Sequence, residues 1–274
     1  MIIQHNMSAM NTHRQLGVNS GNLSKNVEKL SSGYRINRAA DDAAGLSISE
    51  RMRAQVRGME QASRNSQDGI SLIQVAEGAL QTVNNMLVRV KEIATQSANG
   101  TYQDSTDRSR LQEELDELTK EVTNIMSNTK FNSISLLDGN GGKDIDLQIG
   151  QEKAQSLTLV TSKFDLKSVE DMVKKWKIGS QGGAKSVLGS IDAAINQVSA
   201  ARSYLGANQN RLENTINNLN ITAENLTAAE SRIRDVDMAK EQMAFTKNNI
   251  LTQASQAMLA QANQLPQGVL QLLR

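Results

Sequence analysis

Apolar residues recur at intervals of seven along much of the chain, which is the spacing of one face of a helix in a coiled coil. The longest series predicts one long helix and consists of Ile191, Val198, Leu205, Leu212, Leu219, Leu226 and Ile233. A first helix is predicted by Ile2, Ala9, Leu16, Leu23 and Leu30. A last helix is predicted by Leu251, Met258, Leu265 and Leu272, beside a second line of Ile250 and Ala257.

Two more helices follow from apolar steps of three and four residues. The first has Ile73, Ala76, Leu80, Val83, Leu87, Val90 and Ala94, and the second has Leu111, Leu115, Leu118, Val122 and Ile125. Asn99–Gly100 and the polar stretch TYQDSTD separate them. Because the loop is short, the two helices are expected to fold back on each other as an antiparallel pair.

Residues of the types that commonly cap helices predict where the helices begin and end. The expected caps are Asn6 or Ser8 and then Gly33 for the first helix, Asp41 or Asp42 for the second, Ser105 or Asp107 for the third and Asp237 for the last. The last helix is expected to run to the neighbourhood of Asn263.

The middle of the chain has a different pattern. IDLQIG and SLTLVT carry apolar residues at alternate positions, and the stretch QEKAQ separates them. This pattern predicts a β-hairpin. Residues 161–185 are polar and contain glycines, so they are predicted to form a surface connection.

These elements predict a mainly α protein: an elongated antiparallel helical bundle, similar to a coiled coil, with a small β-hairpin and paired terminal helices. The predicted segments are residues 1–40, 41–160, 161–185, 186–235 and 236–274. The first and last form one domain, and 41–160 with 186–235 form a second. Each helix has more than one apolar line, which one partner helix cannot cover. An exposed leucine-sized group forgoes about 1.5–3 kcal/mol of burial, so further partners are expected.

Composition argues against several classes of partner and site. Lys and Arg number 30 and Asp and Glu 29, so charge gives no reason to expect a nucleic-acid or anionic-membrane partner. Cysteine is absent, which excludes disulfides, and the two histidines, His5 and His13, do not have the spacing of a metal site. No apolar stretch is long enough to span a membrane, and the first residues lack the pattern of a cleaved signal peptide.

Catalytic motifs are weak. DGNGGKDID resembles a calcium loop, but Lys143 stands where glycine is needed and Ile149 where glutamate is needed. Phosphate-loop, HExxH and GxSxG motifs are absent. Glu113, Glu114 and Glu117 fit the solvated face of a helix. We therefore expect neither an enzyme nor a cofactor.

Several long stretches resemble bacterial flagellin. They are NTHRQL, KLSSGYRINRAADDAAGLSISERMRAQVRG and SQDGISLIQVAEGAL in the first half, and ARSYLGANQNRLENTINNLN, SRIRDVDMAKEQM and VLQLLR in the second. The resemblance covers about residues 1–160 and 185–274, and the extra outer domains of many flagellins are missing. It implies a subunit of the extracellular flagellar filament. Such subunits are exported unfolded by the type III route, without a cleaved signal peptide.

The resemblance also implies partners. The terminal helices would line the inner tube of the filament and bury their stripes on each other and on neighbouring copies. The residues expected in self-assembly are Ile2, Ala9, Leu16, Leu23, Leu30, Ile250, Leu251, Met258, Leu265 and Leu272. Before assembly the ends would be largely disordered. An export chaperone would mask the last helix, and hook-associated and cap proteins would meet the filament.

Innate immune receptors are further partners that the resemblance implies. Leu87, Arg89, Ile93 and Glu114 match positions sensed by the flagellin-recognising Toll-like receptor, although Val88 and Ile93 depart from the common residues. Leu272, Leu273 and Arg274 match the part read by cytosolic NAIP-type sensors. Alternatively, Arg89 and Glu114 only join helices or subunits. A hook–filament junction protein or a non-polymerising coiled-coil scaffold is the alternative function.

Overall fold

The computed structural model describes residues 5–104, 106–138 and 143–272, with side chains described up to residue 264. Six α-helices lie in these ranges: α1 Met7–Ser32, α2 Ala43–Ser97, α3 Asp107–Asn128, α4 Lys167–Val173, α5 Gln181–Arg234 and α6 Met238–Leu272. The strands are β1 Lys130–Phe131, β2 Ile134–Ser135, β3 Ile145–Gln148 and β4 Ser156–Leu159. The mainly α class with a small hairpin and paired terminal helices is confirmed.

The chain forms two compact units. The terminal unit consists of Met1–Val56 and Glu224–Arg274, and the central unit of Arg57–Ala223. Their boundaries lie inside α2 and α5, whereas the predicted segments change at residues 40 and 235. The units are defined by contacts between residues. The residues that α2 and α5 contact change partway along each helix, although each helix is continuous.

In the central unit, α2 and α3 form the predicted antiparallel pair. Arg108 of α3 donates Nε–H to the carbonyl of Ser97 at the end of α2, at 2.8 Å. Lys91 of α2 lies 2.6 Å from Asp192 of α5, so α5 packs beside the pair. The apolar lines of all three helices meet in one core, which includes Ile73, Leu80, Leu87, Leu115, Val122, Ile191, Val198 and Leu205.

The predicted hairpin is confirmed as the antiparallel pair β3–β4, with Ile145 opposite Leu159 and Leu147 opposite Leu157. It packs on α2, where Asn65 donates its Nδ2–H to the carbonyl of Gln148 at 3.0 Å. A second, shorter hairpin, β1–β2, was not predicted. Its turn places Asn132 and Ser133 at positive φ, and each strand has only two residues, too few for an alternating pattern to stand out.

The predicted surface connection at residues 161–185 is wrong. The segment contains a 3-10 turn at Thr161–Lys163 and helix α4, and α5 already begins at Gln181. Its apolar side chains are buried in the central core: Phe164, Leu166, Val169, Val173, Trp176 and Ile178. The intervening lysines are exposed, so the polar average of the segment concealed the buried apolar side chains between them.

Most predicted caps are confirmed. Asn6 caps α1 by accepting the Ala9 N–H, and Gly33 ends it with φ of 75°. Asp42 accepts the Gly45 N–H at the start of α2, and Asp237 accepts two N–H groups at the start of α6.

Two predicted helix ends are wrong. Thr106 is the N-cap of α3, while Asp107 is its first helical residue and accepts the Gln103 N–H; Ser105 lies outside the described residues. Helix α6 continues beyond Asn263 to Leu272, although Pro266 lies within it. A proline removes one hydrogen bond from a helix and does not always end it.

Candidate functional site

Helix α6 carries a line of large apolar side chains that the described residues of the terminal unit leave exposed. Met243, Ile250 and Met258 are 67%, 60% and 59% exposed, and Leu251 is 39% exposed. Part of this line borders an open groove of about 460 Å³, lined by Gln242, Met243, Thr246, Lys247, Ile250 and Leu251. An exposed apolar surface of this kind marks a contact with a partner.

The opposite side of α6 packs on α1 through small and polar groups. Asn19 of α1 is buried and donates Nδ2–H to the hydroxyl of Ser255 at 2.9 Å. Asn6 donates to the backbone carbonyl of Ala262 at 2.7 Å, and the Ala262 side chain is buried. The side of α6 toward α1 therefore combines these polar and small groups with the half-buried Phe245 and Leu259, while Met243, Ile250 and Met258 face outward.

This arrangement divides the predicted self-assembly residues. Ala9, Leu16, Leu23 and Leu30 of α1 are half-buried, whereas Ile250, Leu251 and Met258 of α6 are exposed. Ile2 and the side chains of Leu265 and Leu272 lie outside the described residues. Ile250, Leu251 and Met258 are therefore not buried on α1 within one subunit, because the positions of α6 that contact α1, such as Ser255 and Ala262, belong to neither predicted line.

The sequence contains a signal for this polar contact. Asn19 and Asn26 are seven residues apart and both are buried. A polar residue repeated at heptad spacing between leucines indicates a buried polar position in a helix pair. The heptad pattern of α1 therefore includes asparagines as well as leucines.

The connection between α1 and α2 is held beside the α5–α6 junction. Tyr34 and Asp235 form an isolated β-bridge, and the guanidinium groups of Arg234 and Arg53 lie 4.9 and 5.9 Å from the centre of the Tyr34 ring. Arg53 also pairs with Glu230 at 2.7 Å. Burial alone would lower the pKa of Arg53, but the hydrogen bond and charge of Glu230 outweigh it and raise that pKa, so the guanidinium stays protonated.

The predicted receptor residues fall into two groups. The Arg89 guanidinium donates to Glu114 at 2.7 Å and to Glu92 at 3.1 Å, and these two carboxylates raise the pKa of Arg89. Arg89 and Glu114 are exposed. Leu87 and Ile93 are fully buried in the central core, so their side chains support the surface without forming it. Leu273 and Arg274 lie outside the described residues.

The described residues contain no cluster of three His, Cys, Asp or Glu side chains that could hold a metal ion. Over the same residues, none of the helices combines the length and apolar character needed to cross a membrane. The geometry is that of a helical structural protein that presents unburied apolar side chains on its terminal helices.

Comparison with known proteins specifies this class. Residues 3–141 match the bacterial flagellin N-terminal helical region and residues 188–273 the C-terminal helical region. Flagellin of Halalkalibacterium halodurans is 55% identical over 274 residues, and the flagellar filament 33 kDa core protein of Treponema phagedenis is 46% identical over 288, each covering 100% of both chains. Bacillus cereus flagellin, a solved structure, is 33% identical with a TM-score of 0.52, covering 61% of this chain and 94% of that one.

The chain therefore belongs to the bacterial flagellin family, a family of structural proteins. The resemblance read from its motifs is confirmed, as is the expectation that the protein is not an enzyme.

Proposed function

We propose that this protein is the subunit that self-assembles into the extracellular helical filament of the bacterial flagellum. The observation that carries the proposal is the outward apolar line of α6, formed by Met243, Ile250, Leu251 and Met258. Full-length similarity to flagellins and to a filament core protein supports the same function.

The terminal unit gives the physical reason for assembly. Ile36 and Ala262 are its only fully buried apolar side chains among the described residues. Helix α1 leaves Met7, Met10 and Val18 exposed. Neighbouring copies would cover these side chains and those of α6, and a contact between unlike surfaces that does not close into a ring produces an open filament.

Polymerisation of the purified chain tests this function. Sedimentation should detect filaments above a critical concentration, and short filament seeds should remove any lag. Ile250→Lys combined with Met258→Lys should raise the critical concentration at least about tenfold, because each lysine would place a charge in an apolar contact. Val75→Lys is the matched control, since Val75 is an exposed valine of the central unit.

The same experiment separates the alternatives. A hook–filament junction protein or a non-polymerising scaffold would give no filaments at any concentration, with or without seeds. Equal critical concentrations for wild type and the α6 double variant would contradict the role assigned to α6.

We further propose that the predicted secondary partners use two different surfaces. The flagellin-sensing Toll-like receptor would contact the exposed Arg89–Glu114 pair, with Leu87 and Ile93 holding the backbone beneath it. An export chaperone would cover the outward line of α6 before assembly, and hook-associated and cap proteins would meet the same terminal helices at the filament ends. NAIP-type sensors would read Leu272, Leu273 and Arg274.

Receptor binding by the monomer tests the first of these surfaces. Arg89→Ala should weaken binding of the receptor ectodomain about tenfold or more, because an interface arginine often carries much of the binding energy. Arg110→Ala is the control, since Arg110 is an exposed arginine of α3 whose ion pair, among the described residues, is with Glu113 of its own helix. Unchanged binding by Arg89→Ala would leave Arg89 with only its contacts inside the subunit.

A further inference from the structure

Pro266 is the only proline of the chain, and it lies inside helix α6. In an α-helix, the carbonyl of residue 262 accepts the backbone N–H of residue 266. Proline has no N–H, so the carbonyl of Ala262 has no donor within its own helix. Ala262 is itself buried against α1, where water cannot easily serve as the donor.

Asn6 of α1 supplies this missing donor. Its Nδ2–H donates to the Ala262 carbonyl at 2.7 Å, while its Oδ1 accepts the Ala9 N–H at 3.1 Å. The two ends of one amide thus cap the start of α1 and satisfy the one carbonyl of α6 that Pro266 leaves free. The neighbouring carbonyls of α6 are engaged within their own helix, so a shift along the axis would leave Asn6 without an equivalent acceptor.

Asn19 makes a second contact of the same kind. Its Nδ2–H donates to the hydroxyl of Ser255, and its side chain is only 5% exposed. The leucines cannot fix the axial position in this way, because Leu16, Leu23 and Leu30 repeat every seven residues. A slip of one heptad that brought Ala262 opposite Asn19 would bury that amide against a methyl group.

From these contacts we propose that Asn6 and Asn19 set the axial register of α1 against α6. Asn6 does so by donating to the Ala262 carbonyl, which Pro266 leaves without a donor in its own helix. This register fixes where the outward side chains of the two helices stand relative to each other. The consequence for filament growth rests on the proposed function, whereas the register is defined by contacts within one chain wherever α1 and α6 are paired. Buried asparagines that select one register in helix pairs work by the same physics.

Spin-label distances measure the register directly, because the chain has no cysteine of its own. Nitroxide labels at Ser20→Cys on α1 and Gln256→Cys on α6 occupy exposed positions. A slip of one heptad moves one label by about 10 Å relative to the other. Distances are recorded on the free chain, and again in filaments in which labelled subunits are diluted with unlabelled chain.

Asn6→Asp separates the two roles of Asn6, since a carboxylate still accepts the Ala9 N–H but cannot donate to the Ala262 carbonyl. Pro266→Ala removes the free carbonyl by restoring an N–H. Each variant should broaden or split the wild-type distance distribution and raise the critical concentration about tenfold. In the Pro266→Ala background, Asn6→Asp should add little, because that carbonyl then has its own donor.

Two controls complete the test. Asn11→Asp makes the same chemical change at an exposed position of α1 and should leave the distances unchanged. Exchanging partners with Asn19→Ser and Ser255→Asn should keep the wild-type register, whereas Asn19→Leu alone should not. Wild-type distances in both Asn6→Asp and Pro266→Ala would overturn the inference. Failure of the wild-type chain to polymerise would instead contradict the filament function, and the distances in the paired fraction of the free chain would still decide the register.

Discussion

The two units of this chain use the same heptad pattern for opposite purposes. In the central unit, the apolar lines of α2, α3 and α5 converge on a core in which Leu80, Leu115 and Leu205 have no significant exposure. In the terminal unit, the contact of α1 with α6 combines half-buried leucines with asparagine, serine and alanine, and several large apolar side chains remain exposed. The same spacing of apolar residues therefore occurs in one unit that buries its own core and in another that leaves large apolar side chains exposed.

The difference teaches that heptad spacing identifies helices that pack but does not identify their partner. Burial of apolar surface is the main source of folding free energy, so the central unit carries most of the stability of the subunit. Local devices hold the terminal unit, such as the Tyr34–Arg234 contact and the caps at Asn6 and Asp42. Its full stability is expected only in the filament.

Hydrogen exchange of the free subunit should give the largest contrast. Backbone amides in the core stretches of α2 and α5, around Leu80 and Leu205, should exchange only through global unfolding. Amides of α1 and α6 should exchange at least about a thousandfold faster, because they open locally at little free-energy cost. Mass spectrometry of peptides from timed deuterium labelling measures both.

Assembly supplies the internal control for that experiment. In filaments the α1 and α6 peptides should gain protection, while the central peptides should change little. Equal, strong protection of both units in the dilute subunit would contradict the claim that the terminal unit is incomplete.

Leucine truncation should give the next largest difference. Leu80→Ala removes a fully buried side chain and should lower the free energy of unfolding by about 2–5 kcal/mol. Leu251→Ala, on the outward side of α6, should change that free energy by less than about 1 kcal/mol and act instead on assembly. Urea unfolding followed by the fluorescence of Trp176, the only tryptophan and a buried one, measures the central unit. Equal losses for both variants would contradict the comparison.

Alanine substitutions at two adjacent glycines near the start of α5 test whether the segment before that helix is tightly packed. A Cβ on Gly183 would lie 2.8 Å from the backbone carbonyl oxygen of Lys177, whereas a Cβ on Gly182 would have no neighbour within 4 Å. Gly183→Ala should therefore cost about 1–2 kcal/mol of unfolding free energy, since backbone must move. Gly182→Ala should be neutral or stabilise by up to about 1 kcal/mol. The Trp176 signal reports both, and equal stabilities would indicate a loose connection.

Much of the fold could be predicted from the sequence because long helices repeat their signal many times. Seven apolar residues at one spacing predict α5, and five apolar residues at alternate positions predict the β3–β4 hairpin. Residues 161–185 could not be predicted in this way. The apolar residues there are irregularly spaced, partly in the short helix α4 and partly in the segments around it, and tertiary contacts with α2 and α3 define their burial, as when Ser97 donates to the carbonyl of Ile178.

The sequence predicted which apolar residues form the candidate site, but not whether they face α1 or the outside. The sequence identified Ile250, Leu251 and Met258 as an apolar surface, but their side of α6 depends on hydrogen bonds between residues more than 200 positions apart. Leu87 and Ile93 were predicted by resemblance, which says nothing about burial. Local patterns specify helices, whereas the choice between two faces of a helix is a tertiary property.

The smallest expected effect concerns Asp41, in the connection between α1 and α2. Its carboxylate accepts the backbone N–H groups of Arg38 at 3.0 Å and Asn37 at 3.1 Å, and these bonds lower the pKa of Asp41. A lowered pKa means that the turn is fully stabilised above the unfolded-state value of about 3.9 and loses this contribution as the pH falls through the folded-state value. The amide resonances of Asn37 and Arg38 should therefore shift with a midpoint below about 3.9. Asp41→Asn should abolish that titration while keeping the turn, and a midpoint at or above 3.9 in the wild type would show that local hydrogen bonds do not hold this part of the terminal unit.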